Sequence, residues 1–173
     1  MMPQSFLSPR FLWLLLAAGG AGLVIASLLL TAWQNLHPCH LCMFQRLLYL
    51  LLAGVGLAAG LLQPRPAARG IGFFALPLAA WGLVVASYQS WLQAQPPGSV
   101  SCVGGELSLI ESLVEWLGGL LPELFLATGF CEEVEMTILK LSLANWSVLG
   151  FAVCLALAYR AWRPLQERRL FRS

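Results

Sequence analysis

Long apolar stretches alternate with short polar breaks along this chain. Four stretches stand out, at 11–32, 43–62, 71–92 and 142–161. Each is close to the ~20 apolar residues that a helix needs to cross a hydrocarbon core. A backbone inside lipid must satisfy its own hydrogen bonds, so each stretch is expected to be a helix. The expected fold class is therefore an all-α membrane protein, a four-transmembrane-helix bundle forming a single domain over 1–173. The first stretch is too long for a signal-peptide core and shows no convincing cleavage signal, so it reads as a retained span. Gly19, Gly20, Gly22, Gly54, Gly56 and Gly60 allow close approach between helices. Pro77 is expected to kink the third span.

Two links lie on the same side of such a bundle, at 33–42 and 93–141. The second is far longer than an ordinary connection of about 4–6 residues, which suggests function. Its stretch 95–105 is rich in Pro and Gly and reads as irregular. At 107–121 it turns periodic: Leu109, Ile110, Leu113, Val114, Leu117, Leu120 and Leu121 recur at helical spacing among Ser108, Glu111, Ser112 and Glu115. This predicts a short amphipathic helix, resting on the outer leaflet or packed on the bundle, that Pro122 ends.

Composition supports the membrane reading. The chain is 59% hydrophobic and only 10% charged, with a mean hydropathy of +0.77, whereas a soluble domain carries about 25% charged residues. No nucleic-acid partner is expected. The net charge of +2 matters less than its distribution. Arg10, Arg65, Arg69, Arg160, Arg163, Arg168, Arg169 and Arg172 fall at one end; only Arg46 and Lys140 fall at the other. By the positive-inside rule both termini and the 63–70 link are expected in the cytoplasm and the two longer links outside. Trp33, Trp91, Trp116 and Trp146 fit an outer aromatic belt, with Trp13 and Trp162 towards an inner one.

The chemistry is concentrated in His37-Pro38-Cys39-His40-Leu41-Cys42-Met43-Phe44-Gln45-Arg46. A Cys-x-x-Cys pair suits redox exchange, in which the thiolate is the reactive species. Structural zinc would need two further ligands, and haem attachment would need His where Met43 stands. The apolar run from Met43 places Cys42 near a helix N-terminus, where free N–H groups and the macrodipole favour a negative sulfur. Arg46 follows four residues later on the same helical face. A guanidinium inside an apolar helix marks a functional site unless it snorkels to the headgroups.

Three further cysteines complete the set. Cys102 and Cys131 fall in the long outer link and Cys154 in the fourth span, where packing is the ordinary role. In an oxidising compartment two disulfides are expected, most simply Cys39–Cys42 and Cys102–Cys131, although four cysteines permit three connectivities.

Taken together, the four spans, Cys39-His40-Leu41-Cys42 with Gln45-Arg46, the Cys102…Cys131 pair and the approach from Leu121 to Cys131 resemble the DsbB family of inner-membrane thiol:quinone oxidoreductases. The resemblance covers the whole chain. It implies two periplasmic links, a bacterial inner-membrane location, a periplasmic DsbA-type dithiol oxidase as partner and a quinone, ubiquinone or menaquinone, as cofactor. It further implies a relay. The partner attacks Cys102, the released Cys131 attacks Cys39, and Cys42 is left as a thiolate beside the quinone with Arg46 as its cofactor-binding residue. A DsbA-type couple sits near about −120 mV, a value established for that oxidase, so draining it needs a strong acceptor. One departure stands out: Gln89 occupies a position where some members carry a histidine implicated in the quinone site, with Gln93 following. No metal site is expected. The competing reading is a four-span structural protein with permanent loop disulfides; a vitamin K epoxide reductase-like enzyme groups its spans and cysteines differently.

Overall fold

The computed structural model describes residues 8–96, 109–131, 133–134 and 136–170, with side chains as far as 163. Cys102 and most of the irregular stretch around it lie outside the described residues. Among the described residues, four helices are long and apolar enough to cross a membrane: Pro9–Gln34, His40–Leu61, Ala67–Gln93 and Leu143–Arg163. The expected four-span, all-α membrane class is what the structure has.

The first span is α1, Pro9–Gln34. Ser8 caps it, its Oγ accepting from the Phe11 amide at 3.3 Å, and Pro9 occupies the first turn, where its missing N–H costs nothing. Asn35 ends it in the left-handed region (φ 49°, ψ 45°). The second span, α2, is His40–Leu61 and begins three residues earlier than its apolar run. The third is two helices, α3 (Ala67–Phe73) and α4 (Ala75–Gln93), joined at Phe74. Pro77 is the cause: it has no N–H for the Phe73 carbonyl, so the ladder breaks there. The fourth span opens α7, Leu143–Leu170, which runs well past the expected boundary of 161.

Between the third and fourth spans lie α5 (Leu109–Leu120), the single turn α6 (Pro122–Phe125), and a hairpin of β1 (Thr137–Ile138) and β2 (Leu141–Ser142). Pro122 does end the amphipathic helix, and it also opens the next turn as its first residue. The hairpin pairs Thr137 with Ser142 and Ile138 with Leu141. Helix α5 packs on α2. It buries Val114 and Gly118 and leaves Leu109, Trp116 and Leu120 exposed, the arrangement of a helix resting on an apolar boundary.

The core lies along the α1–α2 and α4–α7 seams. A Cβ on Gly56 would stand 2.9 Å from the Trp13 carbonyl oxygen, so the α1–α2 approach needs glycine there. Trp13 itself corrects an expectation. It is not an interfacial anchor but fully buried, with its ring over Gly72. Position along the span suggested a headgroup contact; packing into the space that glycine leaves prevails. Trp33, Trp91, Trp116 and Trp146 are exposed, and Trp162 is partly exposed with the Arg69 guanidinium 5.7 Å from its ring centroid.

Candidate functional site

The early start of α2 builds the site. Cys39 is its N-cap, extended at φ −83° and ψ 172°, and makes no side-chain cap. Cys42 therefore falls in the first turn, among N–H groups that lack helical partners. The two sulfurs are 3.2 Å apart, with the Cys39 thiol donating to Cys42.

The long outer link brings Cys131 to the same point. The Thr128 and Gly129 amides both donate to the Pro38 carbonyl, at 2.9 and 3.3 Å. The chain then places Cys131 within hydrogen-bonding reach of Cys39. Both residues are buried. Contact with Cys131, contact with Cys42 and burial together hold the Cys39 thiol far above its ordinary range. That environment disfavours Cys39 as an attacking thiolate and suits it to being the sulfur attacked.

Gly129 is what lets the segment approach: a Cβ there would run into the His37 carbonyl oxygen. A Gly129→Ala protein is expected to fold its four spans, because the residue lies outside them. Cys131 should nevertheless shift away from Cys39. Thiol exchange between them, followed by quench-flow alkylation and peptide mapping, should slow by about tenfold or more, since a displacement near 1 Å can cost on the order of 10²-fold.

Arg46 lies one turn below Cys42 and is only 4% exposed, so it does not snorkel. Nη1 donates to the Leu124 carbonyl at 2.8 Å; Nη2 donates to Ser27 Oγ at 2.8 Å and Thr31 Oγ1 at 3.3 Å. Even at the centre of a membrane helix a charge costs about 2.5–3.5 kcal/mol on insertion scales, and Arg46 lies nearer the helix start. Each hydrogen bond to a charged group returns about 1.5–3 kcal/mol. Three such bonds are enough to hold the guanidinium inside. Its Nε has no hydrogen-bond partner among the described residues.

Two glutamines close the site from the other side. Gln89 of α4 donates from Nε2 to Cys42 at 3.0 Å and to Cys39 at 3.3 Å, and its oxygen accepts from Gln45 Nε2 at 2.7 Å. Both side chains are buried. Gln93, one turn later, donates instead to the Glu133 carbonyl at 3.3 Å and ties α4 to the segment after Cys131. Beside these groups is a cavity of about 290 Å³ between α1, α2 and α7. Cys42, Gln45, Arg46 and Gln89 form its polar wall; Leu23, Val24, Leu30, Tyr49 and Leu143 are among its apolar lining.

The structure thus brings together Cys39, Cys42, Cys131 and Arg46. Cys154 is buried in the core of α7, and the Cys102–Cys131 pairing lies outside the described residues. Sequence reasoning missed Ser27 and Thr31, the acceptors for Arg46. Their spacing of four on an apolar span was an available signal, since polar side chains there seek partners.

A dithiol at a helix N-terminus, a third cysteine against it and a buried arginine, all at one end of four spans, define a multi-pass membrane protein built for thiol chemistry. The family model described as "Disulfide bond formation protein DsbB" matches residues 9–161. Relatives named disulfide bond formation protein B include one from Dechloromonas aromatica, 44% identical over 144 residues (83% of this chain, 86% of the relative). Another, from an Azoarcus species, is 38% identical over 150 residues (86% and 89%), and one from Shewanella frigidimarina is 33% identical over 155 residues (87% and 88%). The chain belongs to the DsbB family, and with it to the disulfide-forming oxidoreductases of membranes.

Proposed function

We propose that this protein reoxidises a periplasmic DsbA-type dithiol oxidase and delivers the two electrons to a membrane quinone. The observation that carries the reading is the row Cys131, Cys39, Cys42 and Arg46, which ends on the wall of an apolar cavity. A partner thiolate attacks Cys102 of a Cys102–Cys131 disulfide, forming a mixed disulfide and releasing Cys131 as a thiolate. Cys131 attacks Cys39; the Cys39–Cys131 bond forms, the Cys39–Cys42 bond breaks, and the electron pair stays on Cys42. The partner's second thiolate then attacks its own mixed disulfide and leaves oxidised. Cys102, now a thiolate, attacks Cys131 and restores the second disulfide, leaving Cys39 and Cys42 reduced.

A quinone fits the cavity because the lining is apolar, Cys42 is on the wall, and the buried Arg46 has one unpartnered N–H among the described residues. Cys42 and Arg46 would hold its ring, and when bound it supplies an acceptor for two electrons and two protons. Around it, Leu23, Val24 and Leu30 exclude water, and Arg46 keeps a positive charge one turn from the Cys42 sulfur. The uneven distribution of basic residues supports both termini in the cytoplasm and the cysteine-bearing links in the periplasm of a bacterial inner membrane.

The test is anaerobic. Oxidised, purified protein is mixed with a reduced DsbA-type partner and a water-soluble ubiquinone analogue, and quinol is followed by absorbance. One quinol per partner disulfide is expected. Partner oxidation without quinol would remove the quinone from the reading, and no partner oxidation would remove the relay.

A further inference from the structure

Gln89 donates hydrogen bonds to both sulfurs of the dithiol. It is also 2% exposed, so water does not compete for those bonds. Arg46 plays a different part. Its hydrogen bonds go to Leu124, Ser27 and Thr31, and it acts on Cys42 through space. The direction of the Gln89 amide follows from its other end. A carboxamide offers one oxygen and two N–H groups. Gln45 occupies the oxygen, so both N–H groups are left for Cys39 and Cys42. A sulfur anion can only accept, and this is the orientation that serves one.

We propose that Gln89 is a catalytic hydrogen-bond donor to Cys42, held in its donating orientation by Gln45, that stabilises the sulfur anion formed when the Cys39–Cys42 bond opens. The inference rests on the relay proposed above and assigns a residue to one step of it. In that step the Cys131 thiolate attacks Cys39 Sγ. A Cys131–Cys39 bond forms, the Cys39–Cys42 bond breaks, and the electron pair departs on Cys42. One disulfide replaces another, and no proton is needed. Charge appears at Cys42 Sγ, and in the open dithiol, with its sulfurs 3.2 Å apart, the Gln89 amide nitrogen donates to that sulfur at 3.0 Å. Hydrogen bonds to a charged acceptor are roughly twice as strong as neutral ones, so Gln89 favours the open state over the closed one. A carboxamide also does not titrate, so the donor is the same throughout the range where a histidine would change charge.

The experiment measures the sulfur equilibrium without partner or quinone. Full-length protein in detergent, stripped of quinone, is equilibrated with glutathione redox buffers at pH 7. The oxidised fraction of Cys39–Cys42 is read by differential alkylation and peptide mapping. Gln89→Leu should lower the equilibrium constant for reduction about tenfold, which for a two-electron couple is about 30 mV more negative. Gln89→Glu keeps the shape but replaces donors by acceptors and should lower it further. Gln45→Leu should give a smaller fall. Gln89→His should recover much of the loss and add the titration of an imidazole, ordinarily near about 6.5, to the pH dependence that the dithiol itself contributes. Gln93→Leu, whose partner is a backbone carbonyl away from the dithiol, should leave the constant alone.

A folded Gln89→Leu protein with an unchanged constant overturns the proposal. So does a change no larger than that of Gln93→Leu. Since the equilibrium involves no partner, absent partner oxidation counts against the relay alone.

Discussion

A Cys131→Ser protein is expected to stop turning over and to retain its partner. Among the described residues, Cys131 is the cysteine of the long link that lies against Cys39, and the Thr128 and Gly129 amides on Pro38 hold it there. Serine keeps the shape but is not nucleophilic at neutral pH, so electrons that reach Cys102 have no route to Cys39. The lone Cys102 thiolate can still attack the disulfide of an oxidised partner. A Cys102–partner bond then forms, the partner's second sulfur leaves as a thiolate, and the mixed disulfide cannot move on to Cys39. Steady-state turnover should fall on the order of 10³-fold or more, as it does when a nucleophile that works within a unit is removed. Non-reducing electrophoresis should show the complex and lose it on adding dithiothreitol. Cys154→Ser, a packing change in α7, is the control and should do neither. Near-normal turnover in a folded Cys131→Ser protein would mean that Cys39 is reached directly, and the relay would be wrong.

The second large effect is expected at Arg46. Removing the guanidinium deletes three hydrogen bonds and the positive charge beside Cys42. At about 1.5–3 kcal/mol for each bond to a charged group, the loss of even one that touches the acceptor corresponds to roughly ten- to a hundredfold. The apparent quinone KM of Arg46→Ala should rise by at least about tenfold. Single-turnover attack by reduced partner should change little, because Cys102 lies in a different segment from Arg46. Between these limits lies the Cys131–Cys39 exchange, which should slow moderately because Arg46 also holds the Leu124 carbonyl at the start of the segment leading to Cys131. Arg46→Lys keeps the charge but loses the planar fork, so it cannot span Leu124 and Ser27 together and should fall between. Stopped-flow quinone absorbance and quenched partner attack separate the steps. Unchanged quinone kinetics in folded Arg46→Ala would leave the arginine as an anchor for α1 and Leu124 only.

Much of this arrangement was legible in the sequence. Hydrophobic runs locate the spans because a bilayer imposes both their length and their helicity. Cys39, Cys42 and Arg46 announce themselves because such residues are rare beside an apolar helix. What was not legible depends on partners distant in sequence. Gln89 stands out in the sequence only as a departure from a histidine of the resembled family; its contact with two sulfurs exists only once α4 packs on α2. Trp13 looks like a belt residue until Gly72 opens a place for its ring. The hairpin had no turn signal: its two-residue loop needs positive φ twice, and the sequence supplies Leu139 (53°) and Lys140 (66°) where Asn-Gly would be usual. Tertiary contact, including the Trp146 indole bond to the Ile138 carbonyl at 3.1 Å, holds that turn rather than local preference.

The burial of Cys39 and Cys131 also bears on leakage. Their exposures are 2% and 3%, and α5 and the Thr128–Gly129 segment pack against the start of α2 beside them. Direct attack by small dissolved thiols on either sulfur is therefore slow, although a long incubation still brings exchange to equilibrium. In electrical terms these two sulfurs form an insulated stretch of conductor. In the proposed relay, an oxidant strong enough to drain a DsbA-type couple would otherwise be discharged by any soluble thiol, wasting quinone without making a single protein disulfide. Insulation of this kind separates a dedicated circuit from a general thiol oxidase, and it comes from packing alone.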